Sequence, residues 1–375
     1  RDDVESRGLG DVYKRQFYNK HMAFTRITNV AVKGVAACVP KRIEYNKDFK
    51  GLSEEQLQKY IETVGVVERH CAVHDGSLCT SDLCYEAAEK LILELGWNRE
   101  DVGLLIFVSH TQDYKLPSTA CILQNRLGLS KETMAFDVPL GCSGFIYGLG
   151  IAGHIVASGN IKKALLLVGN TQSTYASPQD KSTALLFGDA GSAIALEYDE
   201  NADDILCHYQ TDGSGFDNLI VPDGGCRNPY NEHSTVYEEF EEGIKRTRLH
   251  EKMDGAAVFS FAFFNVPKSL KALMKEYSFS NNDVDYLLLH QANKFMCDGI
   301  AKKLKFSPEQ VPFNIDRFGN TSGTSIPLLM VTELREQLQH QRLRYLCCGF
   351  GVGLSLGSVY FSTNHISVPE LLFLE

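Results

Sequence analysis

The sequence has no two cysteines at CxxC spacing, and its eleven cysteines are odd in number. Structural zinc and a complete disulfide framework both lose weight, and reduced thiols in a cytoplasmic protein become the default expectation. No apolar run approaches the ~20 residues that a bilayer helix requires. The longest, such as residues 164–168 and 286–289, read as buried strands. Positive charge is in deficit: Lys plus Arg number 37 against 47 Asp plus Glu, a formal net charge of −10. A general nucleic-acid or anionic-membrane surface is therefore disfavoured, although a local basic patch could serve one acidic partner. Residues 1–21 lack the apolar core of a secretory signal and mix five basic with four acidic side chains, so they read as a disordered extension outside the fold.

What is present is a globular balance, 375 residues with 44% hydrophobic and 22% charged. Apolar β-branched runs alternate with segments at helical spacing, which predicts a layered α/β body. The two halves, 22–200 and 201–375, share one grammar. A helix over 80–95 is followed by Asn98, Asp101 and a strand over 103–108 ending at Ser109 and His110; a helix over 266–277 is followed by Asn281, Asp283 and a strand ending at His290. The segment LGLSKETMAFDV (127–138) aligns without gaps to LKFSPEQVPFNI (304–315), with four identities at an offset of 177. This predicts a duplicated fold about a pseudo-twofold axis. The same offset carries Cys142 to Gly319, beside Asn320, so both are expected just after a strand, in Gly-rich turns that open helices.

Cys142 lies in DVPLGCSGF. A thiol at a helix N-terminus feels the unpaired amides, which favour the thiolate and can depress its pKa below ~8.5. Gly141 and Gly144 clear space that a merely packing cysteine would not need, so Cys142 is the candidate nucleophile. His290 ends the strand YLLLH, where ligands gather in α/β sheets, and Asn320 sits in GNTSG. Each alone reads as structural; together they form a Cys/His/Asn set for nucleophilic acyl chemistry, with imidazole and amide donors for a carbonyl oxygen that gains charge. The run GFGVG (349–353) could add backbone donors from Gly351, Val352 and Gly353 beside the Cys142 amide. Two other glycine patterns carry less. GLGIAG (148–153) matches GxGxxG but lies inside the predicted helix, so close helix packing is preferred; GDAG (188–191) lacks the ending of a phosphate loop and reads as a turn.

DVPLGCSGF, HQAN around His290, GNTSG around Asn320 and the closing GFGVG resemble, in order and approximate spacing, the β-ketoacyl-ACP synthase III family of the thiolase superfamily. The resemblance runs from about residue 25 to residue 362. It implies a duplicated thiolase-like five-layered αβαβα fold and a cytoplasmic homodimer. Catalysis would be a decarboxylative condensation without metal or other cofactor, the substrates being carried on the phosphopantetheine of acyl carrier protein (ACP) or CoA. It assigns Cys142 as the acyl-accepting nucleophile, and His290 with Asn320 as stabilisers of malonyl-thioester decarboxylation. Asn293 would line the phosphopantetheine tunnel with Phe350. Leu116 matches the position where the partner subunit often inserts a bulky side chain into the acyl pocket.

Departures are also visible. Beside GVVERH (65–70), Lys59 and Thr63 stand where acetyl-CoA-loading synthases carry a tryptophan and an arginine that clamp the CoA nucleotide. Phe295 replaces the expected basic residue after HQAN, leaving Lys294, Lys302 and Lys303 as candidate ACP-docking charges. Rival readings are a 3-hydroxy-3-methylglutaryl-CoA synthase-like or specialised polyketide-like enzyme, a degradative thiolase using Cys347 or Cys348 as a second thiol, and a catalytically silent partner subunit.

Overall fold

The computed structural model describes residues 23–241 and 243–375; residues 1–21, read from sequence as an extension, lie outside them. Val102–Val108 is almost wholly buried, as a strand of a sheet covered on both faces must be. It pairs in parallel with Met134–Val138 on one side and Lys163–Asn170 on the other. Antiparallel Ala190–Tyr198 and then Val30–Pro40 extend the sheet, and Leu372–Leu374 closes it as a sixth strand.

The second half repeats this arrangement. Tyr286–Leu289 pairs in parallel with Arg342–Gly351, which runs antiparallel to Ser355–Asn364, itself antiparallel to Ile205–Thr211. Phe24–Ile27 closes this sheet as a fifth strand. Four strands therefore correspond one to one in order and relative direction, and each sheet is edged by a short strand from the opposite end of the chain.

Helices supply the other layers. Thr80–Leu95 covers the outer face of the first sheet and Gly255–Glu276 that of the second, while Gly144–Ala157 and Ser325–Glu333 lie between the sheets and touch both. The result is the αβαβα sandwich, duplicated as expected. The central core joins Ile106, Phe145, Leu149 and Leu166 from the first half to Leu288, Leu329, Cys347 and Val359 from the second. Each such aliphatic or aromatic side chain contributes ~1.5–3 kcal/mol by leaving water.

The glycines of Gly144–Ala157 act by closeness: a Cβ at Gly148 would stand 2.7 Å from Leu166 and one at Gly153 2.9 Å from Ile27, so GxGxxG is a packing surface.

One expectation fails. Met134–Val138 is a strand, but its repeat counterpart is not: residues 311–314 are irregular and lead into the short helix Ile315–Phe318. Pro312 has no amide to give a ladder, which suits it poorly to a strand interior. Asn320 thus follows a helix rather than a strand.

Candidate active site

Cys142 lies in the turn after Met134–Val138, one residue before Ser143 caps helix Gly144–Ala157, with the turn closed by Gly144 N donating to Gly141 O at 2.6 Å. The hairpin turn between Arg342–Gly351 and Ser355–Asn364 presses against it. A Cβ at Gly351 would sit 2.9 Å from Cys142 Sγ, so only glycine lets the strand end pass the sulphur. A hydroxyl link, Ser143 Oγ to Ser355 Oγ at 2.7 Å, with Ser355 Oγ donating to Val352 O at 2.8 Å, pins that hairpin to the cysteine turn.

The expectation of a depressed thiol pKa is overturned. Burial pushes Cys142 up to about 11, against downward pulls from the Ser322 hydroxyl and the Val352 and Cys142 amides. Desolvation of the charged form outweighs those donors. The resting group is a thiol, and two of the four backbone donors expected from sequence, Cys142 and Val352, face its sulphur. Gly351 lines the adjoining cavity, and Gly353 lies in the turn beyond.

His290 follows Tyr286–Leu289 directly and is almost wholly buried. Its Nδ1 lies 2.7 Å from Ser325 Oγ, leaving Nε2 as the nitrogen for a reactant. Burial lowers its pKa to about 3, opposed by a hydrogen bond to the Ser322 backbone, so the ring is neutral across the working pH range. Asn320 is oriented by its own turn: Oδ1 accepts from Ser322 N at 2.9 Å, which leaves the amide NH2 to donate.

Ser322 links these groups and was not singled out from sequence. Its hydroxyl lies 3.8 Å from Cys142 Sγ, its amide holds Asn320, and its backbone bonds His290. It adopts φ 52°, a left-handed conformation that costs a non-glycine residue on the order of 1–3 kcal/mol. Nothing in GNTSG sets the serine apart; what marks it is backbone strain.

Cys142, His290, Asn320, Asn293, Phe350 and Gly351 line one cavity of about 80 Å³. Asn293 also caps helix Lys294–Leu304 through Oδ1, which accepts from Met296 N at 2.7 Å, and Phe350 meets the His290 ring edge-on at 5.4 Å. A second cavity, about 480 Å³, also reaches Cys142 and Ser322. Its walls include His110, Gln172, Tyr175 and Glu251, none assigned from sequence. Leu116 is 83% exposed and lies outside both cavities of its own chain.

Helix Lys294–Leu304 carries the three candidate docking lysines. Lys294 Nζ pairs with Asp298 at 2.8 Å, and Lys303 Nζ sits 3.2 Å from the Phe263 ring centroid. Phe295 is 60% exposed beside them. Lys59 and Thr63 are exposed on the neighbouring helix Glu54–Val64, where Thr63 Oγ1 donates to Lys59 O at 2.8 Å. Cys347 and Cys348 are fully buried strand residues outside both cavities, Cys348 taking a hydrogen bond from Ser358, so neither reaches the site as a second thiol.

The comparisons with known proteins agree with this arrangement. The pattern of 3-oxoacyl-(acyl-carrier-protein) synthase III matches residues 136–213, and that family's C-terminal pattern matches 274–363. A beta-ketoacyl-(acyl-carrier-protein) synthase III of Koribacter versatilis is 32% identical over 337 residues, covering 89% of this chain and 98% of the relative; one from Streptococcus pneumoniae is 33% identical over 340 residues, covering 90% and 99%. Among solved structures, a 3-oxoacyl-(acyl-carrier protein) synthase from Burkholderia xenovorans LB400 superposes with TM-score 0.87 at 36% identity, covering 94% of this chain and 99% of its own. That of the synthase III from Pseudomonas aeruginosa PAO1 gives 0.78 at 29%, covering 90% and 99%. Repeat, sandwich and relatives at this identity over whole chains lead to one assignment: the chain belongs to the β-ketoacyl-ACP synthase III family.

Proposed function

We propose that this protein joins an acyl primer to malonyl-ACP with loss of carbon dioxide, giving a β-ketoacyl-ACP. One observation carries the reading: Cys142 stands in the walls of two cavities, and only the smaller also reaches His290 and Asn320. The larger suits an acyl group held on sulphur, the smaller a pantetheine arm bringing the second thioester.

In the first half-reaction Cys142 Sγ attacks the primer carbonyl carbon. The bond from that carbon to the carrier sulphur breaks, and the thiol proton leaves with the carrier as its free thiol. The Cys142 and Val352 amides stabilise the oxyanion. In the second, the malonyl carboxylate departs as carbon dioxide and its bonding pair forms an enolate. The neutral NH groups of His290 and Asn320 hold the enolate oxygen without a competing ion pair. The enolate carbon attacks the acyl carbonyl, the carbon–sulphur bond to Cys142 breaks, and the sulphur takes a proton from solvent.

The working unit on this reading is a cytoplasmic homodimer in which Leu116 of each chain closes the larger cavity of the other. ACP docks on the Lys294–Leu304 face, and no metal or other cofactor enters a step. The test is intact-protein mass spectrometry after incubation with acyl-CoA and acyl-ACP donors, followed by malonyl-ACP. An acyl mass on Cys142, discharged by malonyl-ACP into a β-ketoacyl-ACP, is the expected result; a donor mass on another residue rejects the scheme.

A further inference from the structure

The larger cavity beside Cys142 is not a plain apolar pocket. Phe187, Leu219, Ile220 and Leu249 line part of it, but Glu251 and Gln172 stand in the same wall. Glu251 is 2% exposed and its carboxyl faces no cation among the described residues. Its Oε2 accepts from Gln172 Nε2, and its backbone amide is tied to Tyr175 O at 2.8 Å, which holds the residue in place. Two oxygens remain, Glu251 Oε1 and Gln172 Oε1. Both are buried and neither has a hydrogen-bond partner among the described residues.

A buried acceptor left unpaired is costly, and two on neighbouring residues of one cavity wall are a worse arrangement than an apolar wall of the same shape. Asp223, in the same cavity, makes the contrast, because its carboxylate is already held by Arg248 at 3.0 Å and by Ser234 Oγ at 2.9 Å and asks nothing of a ligand. Burial also pushes the Glu251 carboxyl up to about 7, so the group answers either to a neutral hydroxyl or to an ammonium.

Building on the acyl-transfer reading above, we propose that the primer is an acyl group whose chain carries a hydrogen-bond donor, a hydroxyl or an amine, and that Glu251 and Gln172 select it by receiving that donor in the cavity beyond Cys142. A pocket that hydrogen-bonds such a group discriminates against the methyl isostere by far more than size alone allows, since the isostere leaves the buried oxygens unpaired.

The experiment uses the full chain and pantetheine thioesters of matched length ending in methyl, hydroxyl or amino groups, at several lengths, with kcat/KM for acylation of Cys142 read by intact mass. The expected result is a preference of about tenfold or more for the hydroxyl or amino form over methyl at one length. The two donor arms separate hydroxyl from amine. Glu251→Leu should raise the rate with the methyl form and lower it with the donor form, and Gln172→Leu should do the same to a smaller degree, so that one variant suffices if the other does not fold. Equal or better acylation by the methyl series in the unaltered protein overturns the inference alone. Failure of every donor to label Cys142 overturns the acyl-transfer reading and this inference together.

Discussion

The two halves place equivalent turns face to face and use them differently. In the first, a strand runs into the turn of Cys142, and the 14-residue helix Gly144–Ala157 follows at once. In the second, the strand is lost, Ile315–Phe318 takes its place, and a strained Ser322 precedes the nine-residue helix Ser325–Glu333. One turn offers a single sulphur to an attacking path, the other an amide, a hydroxyl and a carbonyl to hold neighbours. The histidines after the corresponding strands diverge as well. Nε2 of His110 donates to Pro139 O at 3.1 Å, so Nδ1 is its bare acceptor, whereas Nδ1 of His290 is taken by Ser325 and Nε2 remains for a reactant. Duplication thus provides two positions per cavity; on the reading proposed above, divergence makes one half the nucleophile and the other the donor set.

Cys142→Ala separates the two halves most completely. It should lower acyl transfer by at least ~10⁴-fold with the fold intact, because no other thiol lines the site. Intact mass and circular dichroism check both parts, and undiminished acylation would return Cys142 to the role of a packing residue. Next in size are the opposite-half donors. His290→Ala and Asn320→Ala should each reduce malonyl decarboxylation by ~10²–10³-fold while acylation of Cys142 falls much less. Carbon dioxide release and acyl-enzyme formation are measured separately, and equal losses in both would remove the division of labour between the halves.

A smaller effect distinguishes holding from reacting. The Ser322 hydroxyl pulls the Cys142 pKa down, so Ser322→Ala should raise it and move the pH profile of iodoacetamide alkylation to higher pH. Its loss of condensation should be roughly tenfold, below that of the reacting donors. In the unaltered protein, decarboxylation should show no step near the usual imidazole value of ~6.5, because His290 stays neutral from about pH 3 upward. A step there that disappears in His290→Gln would mean that the ring works charged.

Sequence carried the repeat because matching helix, loop and strand follow one another at a constant offset, and it put forward Cys142, His290 and Asn320, which the fold brings to one cavity, because each sits in a short run with its own chemistry. It missed Gln172 and Glu251, since two residues 79 apart with no local pattern become partners only when distant loops are brought together by the fold. It misjudged the Cys142 thiol because a helix N-terminus is visible in the pattern of residues while the depth of burial is not. The strand expected before Asn320 failed for a local reason that was in view, Pro312.

The two outer helices that follow the paired strands also differ between the halves. Thr119–Arg126, in the first half, has its opening amides held by Asp137 at 2.7 Å, and its one basic residue in the last turn, Arg126, is engaged by Asp82 at 2.8 Å. Lys294–Leu304, in the second half, is capped by neutral Asn293, lines the cavity of His290 with its first turn, and carries Lys294, paired with Asp298, and in its last turn Lys302 and Lys303. Only the second offers a basic face for an acidic carrier. With Lys59 and Thr63 in place of an aromatic and an arginine, a CoA nucleotide loses remote binding energy that would help position the reacting carbon. Acyl-ACP should therefore exceed the matched acyl-CoA in kcat/KM, and reversing all three lysines to glutamate should lower the ACP reaction by roughly tenfold or less, mainly through KM. Since exposed charges are screened beyond ~8 Å at physiological ionic strength, the ACP advantage should shrink as salt rises while the CoA reaction changes little. A clear preference for acyl-CoA, or an ACP reaction indifferent to the three reversals, would leave the two helices equivalent in function and place the docking face elsewhere.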